Sequence, residues 1–165
     1  MPVATSGPVA ERIALEIEYR LRRLLSGSST MIQVSEVIRP KRMESATPKH
    51  CQIVLTQGDP EIDAQLSLPG NPPATAWRHF FSIRCHVIPS ELDPTAIDTF
   101  QNYFVADIRR AICEDANWWT FDGLAIYAEW GNISGIDLDG TFVAFMVPLI
   151  VTYRTDEDDP YTVRA

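Results

Sequence analysis

The chain of 165 residues is short of cysteine, with three thiols at Cys51, Cys85 and Cys113. They are widely spaced and form no C-x-x-C pair, which excludes a disulfide framework or a cysteine zinc site and points to reduced thiols. No apolar run approaches the roughly 18 residues of a membrane-spanning helix. The opening "MPVATSGPVAERIALEIEYRLRRLL" is broken by charges every few positions and does not read as a signal peptide. Positive charge is scarce: 14 Lys and Arg against 22 Asp and Glu give a formal net charge of -8. Such a surface repels nucleic acid and anionic membranes, so nonspecific duplex binding is not expected. Absent as well are G-x-S-x-G, H-E-x-x-H, the phosphate-binding P-loop and G-x-G-x-x-G. Nothing in the chain asks for a catalytic residue, a cofactor or a bound metal.

What is present suits one domain over residues 1–165, ending in a short acidic tail at 155–165. A chain of this length buries roughly two-thirds of the surface it exposes when unfolded, so it needs no covalent staple. Residues 8–26 predict an amphipathic helix, with Val9, Ile13, Ile17, Leu21 and Leu24 on one stripe. Pro8 suits its first turn and Gly27 its stop, and Glu16–Arg20 and Glu18–Arg22 are favourable i,i+4 pairs. Strands are predicted at 31–38, 51–57, 62–68, 77–88, 124–130 and 142–153. In "WRHFFSIRCHVI" the residues Trp77, His79, Phe81, Ile83, Cys85 and Val87 share one face, and Arg78, Ser82, Arg84 and His86 share the other. A second helix begins at Asp93 as cap and Pro94 as first residue, and buries Ile97, Phe100, Phe104, Ile108 and Ile112 up to about Cys113. Pro148 marks the last strand as an edge or a bulge. The element order gives an α+β fold, a mixed, largely antiparallel sheet with two main helices packed on one face.

Four features invite a functional reading beside a plain one. The basic segment "RPKRMESATPKH" carries Arg39, Lys41, Arg42 and Lys49, and its plain reading is a solvated loop. Asp156, Glu157, Asp158 and Asp159 stand in a row; in an extended segment they point alternately outward, which suits a solvated tail better than a cation cage. Pro160 and Tyr161 add a rigid residue and an aromatic that a solubility tail does not need. "NWWTF" puts Trp118 and Trp119 in a loop, where an exposed aromatic fits the centre of an interface. "GIDLDG" places Asp137 and Asp139 at calcium-loop spacing but lacks the later acid, so a polar turn is the better reading. His79 lines up with core residues and reads as a satisfied core histidine; His86 falls on the opposite face.

The layout resembles the tail terminator, or tail completion, proteins of lambda-type long-tailed bacteriophages. The segments that carry the resemblance are "VAERIALEIEYRLRRLL", "WRHFFSIRCHVIP", "VADIRRAICED", "GLAIYAEW" and above all "VTYRTDEDDPY". It covers most of the chain, though each piece is degenerate. The resemblance implies a non-enzymatic virion protein with a sheet flanked by helices. It implies a ring, commonly of six subunits, on the head-proximal end of the tail tube. That ring ends tube growth and offers a docking surface to head-completion or neck proteins, and DNA passes its lumen without specific binding. Interface candidates are then Arg39, Lys41, Arg42, Lys49, Trp118, Trp119, Asp156, Glu157, Asp158, Asp159 and Tyr161, with the basic and acidic patches aligning neighbouring copies. Three alternatives stay open. One is a head–tail joining or minor tail protein of similar fold. Another is a small metal-dependent hydrolase built on Asp137, Asp139 and the 156–159 acids. The third is a monomeric domain that binds a small ligand.

Overall fold

A computed structural model describes residues 6–26, 32–40, 49–88, 97–138 and 142–164, with only the backbone of 136–138. Helix α1 spans Val9–Arg22 and runs on as a short 3-10 turn, Arg23–Ser26. Helix α2 spans Ile97–Cys113. The strands are β1 (Glu36–Ile38), β2 (Gln52–Gln57), β3 (Glu61–Ile62), β4 (Ala74–Val87), β5 (Tyr127–Trp130), β6 (Ser134–Leu138) and β7 (Phe142–Asp156).

The axis of the sheet is a two-stranded ribbon of β4 and β7, paired antiparallel without a break from Ala74–Asp156 to Val87–Val143. Each flank is split between two short strands. On one side β2 pairs the second half of β4 and β3 its beginning. On the other, β5 pairs residues 149–152 of β7 and β6 pairs residues 142–146. The parallel strand β1 lies beyond β2 and makes the sheet mixed. Alternation along the ribbon does the rest. Phe81, Ile83 and Cys85 of β4 join Phe145, Val147, Leu149 and Val151 of β7 in one core cluster. The stripes Val9–Ile13–Ile17–Leu21 of α1 and Phe104–Ile108–Ile112 of α2 complete it. Both helices therefore cover the same face. On the opposite face, among the described residues, the 63–68 segment covers the ribbon's start, where the Arg154 guanidinium donates to the Leu66 carbonyl. No described helix packs there.

Several expectations need correction. Pro148 does not mark an edge, because β7 is paired on both sides. The Pro148 carbonyl accepts the Gly131 N–H between β5 and β6. In a strand, N and C=O of one residue point the same way, so the nitrogen without a hydrogen faces the gap between the two flanking strands and no ladder bond is lost. The segment 62–68 is not a strand beyond Ile62. Asp63 Oδ1 accepts the N–H groups of Gln65 and Leu66, a local turn that competes with the ladder. Residues 134–138 form β6 rather than a turn, and the strand expected at 31–38 shrinks to β1, although Ile32 and Val34 are buried. The start signals of α2 at Asp93 and Pro94 lie outside the described residues, as does Asp139.

Candidate functional site

The C-terminal segment is not a loose tail. β7 runs through Asp156, the chain turns, and Val163 returns to bridge Thr155. The Glu157 N–H donates to the Pro73 carbonyl (3.0 Å) and the Arg164 N–H to the Arg154 carbonyl (3.0 Å). Asp159 closes the turn, accepting the Tyr161 N–H (3.0 Å) and the Thr162 hydroxyl (2.6 Å). Those two bonds, the Thr162 hydroxyl first, hold its carboxyl below the usual carboxylate range. Asp156 is paired with the Arg164 guanidinium. Two of the four acids thus serve the turn, while Glu157 and Asp158 are exposed and have no cationic partner among the described residues.

The turn also caps a helix. Pro8, the N-cap of α1, offers no side-chain acceptor. The Val9 N–H donates instead to the Pro160 carbonyl at 2.9 Å, satisfying one of the donors a helix start leaves open. The acidic turn therefore lies against the positive end of α1, where negative charge is favoured. Tyr161 points outward, 57% exposed, at the end of the sheet where Ile62 (64%) and Leu68 (46%) are also exposed. The three are joined through the backbone: Ile62 pairs with Trp77, whose indole N–H donates to the Thr155 hydroxyl, and Leu68 bridges Ala74 beside Asp156. Ile62 follows Trp77 to the helix side of the sheet and Leu68 follows Ala74 to the other side, so this end of the sheet carries exposed apolar groups on both faces beside the acids of the turn, held by β-ladder and turn bonds.

The two described cations of the basic patch are consumed inside the chain. Arg39 grips Glu11 of α1 through two nitrogens (2.8 and 2.6 Å) and also donates to Gln57. The hydrogen bonds from Arg39 pull the Glu11 carboxyl below its ordinary range. Lys49 pairs with Glu36 at 2.9 Å, and Lys49, then Gln52, lowers the Glu36 carboxyl. Lys41 and Arg42 lie outside the described residues. Arg39 lines an open groove of about 1500 Å³ between α1 and β1, with His79 at its inner side. His79 is buried and stacks on Phe81 at 4.6 Å. Its Nε2–H donates to the Gly58 carbonyl (2.8 Å), and its Nδ1 has no hydrogen-bond partner among the described residues. Burial moves its pKa down, so the ring is neutral at pH 7. Among the described residues that line it, the groove holds the Arg39–Glu11 and Arg22–Glu18 ion pairs.

The two tryptophans separate. Trp118 packs against the core and stacks on Trp130 (centroids 6.1 Å apart), with the Arg109 guanidinium over the Trp130 ring. Trp119, one residue on in a 3-10 turn, is 46% exposed. The loop that carries them continues through Phe121, Asp122 and Gly123, all at positive φ, a conformation costly for the first two. Arg20 holds it: the fully buried guanidinium bonds Glu16 (2.7 Å) and the Ile112 carbonyl (3.0 Å), lies over the Phe121 ring (4.9 Å) and approaches Asp115 and Asp122 (3.6 and 3.7 Å). Sequence reading takes Glu16–Arg20 only as a favourable i,i+4 pair, with no sign that it is buried. The missed signal is positional: Glu16 and Arg20 stand three residues after Ile13 and Ile17, on the buried stripe.

The described residues contain no group of three or more His, Cys, Asp or Glu able to hold a metal ion, and no helix long and apolar enough to cross a membrane. All three cysteines are free thiols. The chain matches no protein-family model and no curated protein.

Proposed function

We propose that this chain is a non-enzymatic virion protein of a long-tailed bacteriophage. It forms a ring on the head-proximal end of the tail tube, ends tube growth and presents the docking surface for head-completion proteins. Assembly takes place in the bacterial cytoplasm, and DNA passes the lumen without specific contacts. One observation carries this reading. The segment "VTYRTDEDDPY", the piece of sequence most like the tail terminator family, ends the central strand and forms a fixed, exposed corner with Tyr161 at its tip. An ordered corner of exposed apolar and acidic groups suits a subunit contact, since little conformational freedom is left to lose on binding. The ring is homomeric, and its contacts are heterologous, one patch meeting a different patch on the next copy. The net charge of -8 fits a channel that does not retain DNA.

The test is native mass of the purified protein, alone and with purified tail tubes, joined to electron microscopy of tube ends. A ring, or a monomer that becomes a ring on one tube end and halts elongation, is expected. A monomer indifferent to tubes sinks the reading. A ring that binds the head side of the neck and leaves tube growth unchanged makes the chain a head–tail joining protein.

A further inference from the structure

In the basic segment at 39–49, Arg39 and Lys49 are already paired within the chain, and Lys41 and Arg42 lie outside the described residues. The face of the sheet away from the helices offers a described cation. On that face Arg78 is bound to Glu129 and Arg154 to the Leu66 carbonyl. Arg84 is exposed and has no carboxylate partner among the described residues. It stands at the middle of the sheet, opposite Val54 of β2 and Met146 of β7. Four residues along β4, on the same face, Phe80 is half-buried. The patch is one cation flanked by Val54 and Met146 across the ladder and by Ser82 and His86 on its own strand. The corner of Tyr161, Ile62, Glu157 and Asp158 is its complement: apolar groups beside carboxylates with no cationic partner among the described residues.

We infer that the corner of one copy docks on the Arg84 face of the next, with Glu157 and Asp158 meeting the Arg84 guanidinium and Tyr161 and Ile62 covering the apolar groups beside it. The occupant is a second copy of this chain, and the inference rests on the ring reading given above. The patches lie at different places on the molecule, one at the end of the sheet and one across its middle, so the contact is head-to-tail and propagates until it closes. Apolar contact supplies most of the affinity, and the charges set orientation and make assembly salt-dependent.

Charge exchange tests the pairing. Arg84→Glu alone, and Glu157→Arg with Asp158→Arg, are each expected to raise the protein concentration for half-assembly roughly tenfold or more. The triple variant is expected to return to within about threefold of the natural chain, because the pair is restored with signs reversed. Sedimentation velocity at low and high salt reads both. Urea midpoints of all variants stay near that of the natural chain, since none of these side chains has an ion-pair partner among the described residues; a large shift for one variant moves its test to Arg84→Gln or Glu157→Gln. Neutral swaps in a chain that still forms rings overturn the pairing and leave the ring reading standing. Loss of assembly with Arg84→Glu that the triple variant does not restore overturns it too, and assigns Arg84 to a different anion such as a nucleic-acid phosphate. A natural chain that stays monomeric with and without tubes removes the ring reading and the pairing together.

Discussion

The two ends of α1 are fixed by opposite means. At the C-terminal end, Arg20 is wholly buried and its guanidinium is surrounded by Glu16, the last turn of α2, Phe121, Asp115 and Asp122. At the N-terminal end, one backbone bond from Val9 to Pro160 ties the helix to a turn whose outer residues face solvent. The first end is saturated by contacts within the chain except at Arg20 Nη2, which is buried and makes no hydrogen bond among the described residues. The second is rigid but unsatisfied on its outer side. Order at a protein surface thus has two meanings: groups spent on one another, or groups fixed in place and available.

The sharpest way to break this contrast is Arg20→Ala. It strands Glu16 and the Ile112 carbonyl in a buried site and releases a turn held at positive φ, so a loss of roughly 3–5 kcal/mol is expected in urea unfolding. A loss under about 1 kcal/mol would show that the saturated end is no lock. Next comes the tryptophan pair. Trp118→Ala removes a half-buried ring stacked on Trp130 and is expected to cost about 2 kcal/mol. Trp119→Ala is expected to stay within about 0.5 kcal/mol, as for surface sites generally. Equal effects would erase the distinction between spent and available groups inside one loop.

The smallest expected effect is pH-dependent and concerns His79, which combines both cases: among the described residues Nε2 has a hydrogen-bond partner and Nδ1 has none. Its folded pKa lies below the ordinary histidine value of about 6.5. The unfolded chain therefore binds the proton first, and the stability that His79 contributes is full above that value and lost as pH falls through the folded pKa. Burial lowers His86 in the same direction. Unfolding midpoints should fall on acidification below about pH 6.5, and His79→Gln should flatten part of that slope. An unchanged slope would exclude His79 as its source. Below the carboxylate range a further loss follows as Glu11 and Asp159, both held low, take up protons.

The sequence made the fold class legible because period-two and period-3.6 patterns survive wherever one face is buried. The alternation over Trp77–Val87 and the stripe Ile13–Ile17–Leu21 both face the core as read. It failed where a side chain competes with the ladder, as at Asp63, and where topology overrides a residue's habit, as at Pro148. The candidate interface was legible as a list of charges but not as a set of pairs. Which cation is spent depends on tertiary neighbours: Arg39 reaches Glu11 across 28 positions of sequence, while Arg84 reads as one polar residue among several on its face.

The β4–β7 ribbon also governs when this protein becomes itself. Every short strand among the described residues except β1 is laid against β4 or β7, and those two join residues 74–87 to residues 143–156. Pairing so distant in sequence is slow and closes a long loop before it is rewarded. β7, the turn that caps α1 and the corner at Tyr161 are continuous in sequence, so closing the ribbon completes the sheet, the helix start and the exposed corner in one event.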